Sequence, residues 1–131
     1  MTAEELLERY AAGERDFSGA DLSEIDLECA RLRNVNLSGA SLRGAFLSYA
    51  NLIDANLSGA DLSGADLRDV NLSGANLGGA RLTYTRLEGA DLRDANFQGS
   101  LGLDTAELSY ALFCNTTWND GSVVVEGHRY E

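Results

Sequence analysis

Twelve acid or amide side chains recur in this chain at positions separated by multiples of five: Asp16, Asp21, Asp26, Asn36, Asn51, Asn56, Asp61, Asp66, Asn71, Asn76, Asp91 and Asn96. Paired carboxylates are the equipment of acid–base catalysis. Here their spacing follows a repeat, and hydrogen bonding at chain corners is the use it indicates. The single histidine, His128, lies near the end of the chain. Any Ser-His-Asp or Cys-His arrangement would have to be built on it, and it reads as an incidental surface residue of a tail. One histidine and two distant cysteines do not make the ligand cluster of a zinc site, and no calcium-loop spacing is present. The glycines at 19, 39, 44, 59, 64 and 74 share one repeat station. They lack the strand–loop–helix setting of a phosphate-binding loop. The expectation is a protein without catalytic residues, cofactor or metal, and not an enzyme.

What positions these side chains is a period of five. Leucine or phenylalanine stands at every fifth residue from Phe17 to Phe97, seventeen in succession. From Leu22 on, a small residue precedes each by two places. It is usually alanine, with Ile25, Val35, Val70 and Thr85 as exceptions. A period of five matches neither the 3.6 of a helix nor the 2 of a strand. Residues two apart do point to one face of an extended segment. Each pentapeptide therefore supplies a short extended piece with two inward side chains, and its other three residues turn a corner.

The units Ala20-Asp21-Leu22-Ser23, Ala60-Asp61-Leu62-Ser63-Gly64 and Ala65-Asp66-Leu67-Arg68 resemble the A(D/N)LXX motif of the pentapeptide-repeat family. The likeness covers roughly residues 15–118. The ending Leu112-Phe113-Cys114-Asn115-Thr116-Thr117, with Asp120-Gly121-Ser122, is similar to endings in cyanobacterial members. The resemblance implies an all-β fold, a right-handed quadrilateral β-helix with four repeats and twenty residues per coil. After Phe97 the next centres are Leu103, Leu108, Phe113 and Trp118, so the phase slips by one. An extra residue near positions 99–102, absorbed by a bulge, accounts for it, with Leu101 then facing inward as a less regular partner of Leu103. About five coils result, stacked roughly 24 Å tall at about 4.8 Å per coil.

The chain reads as one domain: a capping helix within 1–14, the β-helix over 15–118, and a tail or cap over 119–131. Thr2 with Glu5 forms a capping box, Leu6, Leu7, Tyr10 and Ala11 an apolar stripe, and Gly13 a stop. Val123, Val124 and Val125 are β-prone. They would cover the last coil or pair with another chain's edge, giving a monomer or a weak dimer through the C-terminal end. His128 and Tyr130 fall in a stretch expected to be disordered. Cys29 and Cys114 belong to the first and fifth coils, about 19 Å apart along the axis, too far for a disulfide. No stretch has the apolar length of a membrane span, and the acidic N-terminus has no signal-peptide core. A cytoplasmic protein is expected.

The net charge is −11, and all ten cations are arginine. Phosphate contacts need a basic surface, so nucleic acid is not an expected partner. Some pentapeptide-repeat proteins are acidic duplex-DNA mimics that bind DNA gyrase. Residues 15–99 carry twelve acids against eight arginines, a net −4. A duplex of about 24 Å carries roughly fourteen negative charges, so the barrel falls short of mimicry. A further family role is regulation of cyanobacterial differentiation through protein contacts. The reading that fits best is a β-helical protein-interaction scaffold with an unspecified protein partner. Phe46 stands where Asp or Asn is usual, Tyr49 is on the next corner and Ile53 begins the next side. All three are expected to be exposed as one apolar patch, and such patches mark partner sites.

Overall fold

A computed structural model describes residues 1–125 and the backbone of His128–Arg129. From Asp16 onward the chain winds in stacked coils. Asp16, Asn36, Asn56, Asn76 and Asn96 are joined in series by parallel bridges twenty residues apart. Three more such series run beside them, so each coil has four sides, named here after Phe17, Leu22, Leu27 and Leu32. The reason is a two-way use of the backbone. A leucine N–H donates to the next coil, as Leu57 N to Asn76 O at 2.7 Å. The residue before it donates to the previous one, as Asn56 N to Val35 O at 2.9 Å. Each side is a single bridge rather than a strand, shorter than the extended pieces expected from the period, because a corner intervenes every five residues. At each corner the residue three places on donates back, as Ala60 N to Leu57 O at 3.0 Å, and the residue before it takes a positive φ, +65° at Gly59.

The leucines and their small partners fill the axis. Leu32 through Leu92 are fully buried at every fifth position, with Ala45, Ala60 and Ala65 beside them. All twelve Asp and Asn residues before the centres accept the N–H of the residue two places on, as Asn56 Oδ1 from Ser58 N at 3.0 Å. The corner use of these side chains is thus realised. Among these twelve side chains one also bonds another across coils, Asn36 Nδ2 donating to Asp16 Oδ1 at 3.4 Å.

Helix α1, Ala3–Ala11, closes the first coil. Thr2 Oγ1 accepts Glu5 N–H, which is half of the expected capping box. Beyond the helix, Gly13 N donates to Tyr10 O and Glu14 N to Arg9 O, the paired bonds of a Schellman ending. The packed face is Ala3, Leu6 and Tyr10, whereas Leu7 and Ala11 of the expected stripe are exposed. Tyr10 Oη–H, donating to Arg33 O at 2.7 Å, sets that rotation.

The phase slip falls later than its sequence position suggests. Leu101 still bridges Arg81 in the twenty-residue register, while the next bridge, Arg86 to Glu107, spans one residue more. The surplus is taken up by a 3-10 turn, Leu103–Thr105, entered through Gly102 at φ +79°. Ser100, not Leu101, faces the core. Leu101 is 57% exposed because both its N–H and its carbonyl remain bonded to the coil below.

Four two-residue strands close the far end: β1 Leu112–Phe113, β2 Thr116–Thr117, β3 Val123–Val124 and β4 His128–Arg129. β3 pairs antiparallel with β2, and β4 with β1. The tail turns back on its own last coil, so the disorder expected at His128 is corrected to a paired backbone. Tyr130 lies outside the described residues. Trp118 is half-buried against Phe97 and Phe113, with ring centroids at 5.8 and 5.3 Å.

Candidate interaction surface

Corners make the exterior. Their third residue must take a positive φ so that its N–H reaches the next coil, as Tyr49 N to Arg68 O at 3.0 Å. Glycine does this freely, but Tyr49, Tyr84 and Tyr110 do it at φ +60°, +56° and +63°. A bulky residue there is an outlier, held by the stacked bonds around it at about 1–2 kcal/mol. The side chains consequently stand clear of the wall: Tyr49 is 62% and Tyr84 71% exposed.

Phe46 lies midway along the Leu27 side, 49% exposed, bridged to Asp26 below and Asp66 above. Tyr49 is at the next corner, where the charge of Asp69 pushes the phenol pKa up. Ile53 is at the corner after that, one full side away, and only half-buried. The expectation that all three are exposed is corrected for Ile53. It sits just inside a corner, its N–H bonded to Asn51 Oδ1 and its carbonyl to Asn34 N.

The sequence reading missed a concavity of about 630 Å³ on the Leu22 side, lined by Arg43, Ser63, Gly64, Arg81, Tyr84 and Leu101 among others. The available signals were Tyr84 at a glycine station and Leu101 at an Asp/Asn station. A second hollow of about 330 Å³, around Glu24, Gly44 and Ser63, continues it and shares Arg43.

Five local ion pairs among the described residues engage five of the twenty-one acids. Arg43 meets Asp61 at 3.0 Å, Arg68 meets Asp66 at 2.7 Å and Arg93 meets Asp91 at 2.7 Å. Arg86 pairs with Glu88, and Arg9 with Glu14. The guanidinium of Arg68 holds the Asp66 carboxyl below the usual range, and Arg93 does the same to Asp91. For Asp61, desolvation pushes upward, but bonds from Ser63 and Arg43 outweigh it. Among the described residues no group of three or more His, Cys, Asp or Glu is placed to hold a metal, and no helix is long and apolar enough to cross a membrane. Cys29 and Cys114 are free thiols.

A coil of four leucine-centred repeats with Asx-bonded corners defines the class of protein. The pentapeptide repeat profile matches in eight copies over residues 16–48, 30–69 and 71–100, and the chain belongs to the pentapeptide-repeat family. Among solved structures it is similar to alr5209, a pentapeptide repeat protein from Nostoc PCC 7120. That match has 36% identity and a TM-score of 0.59 over 81% of this chain and 94% of that one. It is also similar to Rfr23, a pentapeptide repeat protein from the cyanobacterium Cyanothece 51142, with 28% identity and a TM-score of 0.58 over 88% and 99% of the two chains. QnrB1, a plasmid-mediated fluoroquinolone resistance protein, shares the fold. Its identity is 20% and its TM-score 0.67, over 77% of this chain and 52% of that one. No curated protein matches.

Proposed function

We propose that this chain is a non-enzymatic, cytoplasmic interaction scaffold that presents rigidly mounted side chains to a protein partner. The finer form of its fold is a right-handed quadrilateral β-helix of about five coils. The twenty-residue bridges and the hydrogen-bonded turn at every fifth residue support that form. One observation carries the function: large apolar side chains such as Phe46, Tyr49, Tyr84 and Leu101 are exposed on an otherwise fully packed wall. Their stations are normally filled by small or polar residues, and aromatic anchors dominate binding energy at protein interfaces.

Phe46 and Tyr49 remain the partner patch in this reading, without Ile53. A partner recovered from the source cell by wild-type protein should be lost on Phe46→Ser or Tyr49→Ser, with circular dichroism unchanged. A partner list indifferent to both changes rejects that patch. The tail's pairing with its own last coil favours a monomer, which light scattering would measure directly.

A further inference from the structure

We infer that the concavity on the Leu22 side docks an extended peptide segment of a protein partner in which an aspartate or glutamate stands beside a bulky apolar residue. This rests on the scaffold reading and names the site and the chemistry of what binds there.

The floor comes first. Gly64 occupies a corner at φ +68°, and a Cβ built on it would meet nothing within 4 Å. Open space therefore lies directly over the backbone, where a partner's main chain can approach. The rim breaks the repeat twice at one place. Tyr84 stands one coil beyond Gly64, and Leu101 one coil beyond Arg81. Both are mostly exposed, and both sit where the repeat otherwise puts small or polar residues. A tyrosine and a leucine bordering one hollow make a seat for an apolar side chain.

Arg81 supplies the charge. Arg9, Arg43, Arg68, Arg86 and Arg93 each hold a carboxylate of their own chain. Arg15 stacks on Tyr10 and donates to carbonyls. The Arg81 guanidinium has no ion-pair or hydrogen-bond partner among the described residues. The acid bridged directly below it, Asp61, is already committed: Oδ1 accepts from Ser63 N–H and Oγ–H, and Oδ2 from Arg43. Arg31 and Arg33 also lack such a partner among the described residues, but of the three only Arg81 borders the hollow, beside Tyr84 and Leu101. Its planar fork is built for a carboxylate. A nucleic acid would also present anions, but in a row, and the lower end of the same groove carries Glu24. From Glu24 to Leu101 the groove spans about four coil steps, roughly 19 Å, or about six extended residues. Glu24 at one end and Arg81 toward the other set the direction, with the ligand's acid at the Arg81 end.

The test uses the full chain and a random linear peptide library displayed on phage, followed by fluorescence anisotropy on synthetic copies of enriched peptides. Enriched peptides should carry an acid next to an aromatic or aliphatic residue. Arg81→Gln should weaken them about tenfold or more, the usual loss of one charge-assisted bond. Tyr84→Gly, which suits the positive φ and keeps the fold, should weaken them as well. Changing the peptide's acid to its amide should cost the same on wild type and nothing further on Arg81→Gln, since the two changes remove one interaction. Peptides that bind but ignore Arg81→Gln and Tyr84→Gly overturn this site and leave the scaffold reading intact at another surface. A library that yields no binder at all overturns this site, while the scaffold reading still stands or falls on recovery of a partner from the source cell.

Discussion

Gly102 offers a direct test of how the solenoid accommodates its extra residue. Alanine at Gly102 meets two separate obstacles. The backbone is at φ +79°, and the new Cβ would lie 2.8 Å from Thr83 N, 2.9 Å from Thr83 Cα and 2.5 Å from Thr83 Oγ1. The hydroxyl can rotate away, but the backbone atoms cannot. Gly59 is the matched control, at φ +65° with nothing within 4 Å of an added Cβ. Positive-φ strain costs about 1–2 kcal/mol, offset by about 0.4–1 kcal/mol from the stiffer unfolded chain. Gly59→Ala should therefore lose about 1 kcal/mol or less. Gly102→Ala adds a forced backbone shift of about 1–3 kcal/mol, for a total of roughly 1–4 kcal/mol. Urea unfolding would be followed by circular dichroism and by Trp118 fluorescence. As the one tryptophan, packed on Phe97 and Phe113, Trp118 reports the last coil specifically. Because repeats contact mainly their neighbours, the fluorescence midpoint should fall further than the dichroism midpoint in Gly102→Ala. Losses within about 0.5 kcal/mol of each other in the two variants would refute the close approach to Thr83 as the constraint.

Leu57→Ala, in the middle of the fully buried column, should cost about 2–5 kcal/mol in the same urea assay, and a loss under about 1 kcal/mol would show that the column is not packed as described. The Asp66 and Asp91 carboxyls are held below their ordinary value by Arg68 and Arg93. Their stabilisation is therefore full above the unfolded value of about 3.9 and lost as pH falls through the depressed folded values. The unfolding free energy from urea titrations should be flat from about pH 8 to about pH 5 and drop below about pH 4, by about 1 kcal/mol or less per half-exposed pair; a drop already complete at about pH 5 contradicts this. Glu24, at φ +59°, should tolerate glycine with a change between zero and about 1 kcal/mol of gain, so a clear loss in Glu24→Gly would reveal a role for its side chain. Gyrase supercoiling should proceed unaffected by micromolar protein, because the net −4 over residues 15–99 is well short of a duplex charge; inhibition would revive the acidic-mimic reading.

The sequence by itself determined the inward leucines and the corner in every pentapeptide, whereas four sides and twenty residues to a coil were implied only by the family resemblance. A five-residue period of inward leucines with small partners matches neither a helix nor a long strand, so each pentapeptide is a short extended piece followed by a corner. The Asp and Asn before each centre were legible as corner residues because a short side-chain oxygen reaches the N–H two places on. Tertiary structure alone decided three matters. Leu101 and Ser100 differ in direction only because of bonds to Ala80 and Leu82 in the coil below, and a local pattern of leucines points the wrong way there. Ile53 is half-buried although its neighbours in sequence suggest exposure, since a corner's side-chain direction depends on what stacks above and below. Finally, the hollow between Arg81, Tyr84 and Leu101 joins residues from two coils, and its unmatched guanidinium is visible only once Asp61 is seen to be taken by Arg43 and Ser63. Periodicity encodes which atoms face the axis, because that is a property of each repeat; it does not encode which exposed groups find partners, because that is settled between repeats.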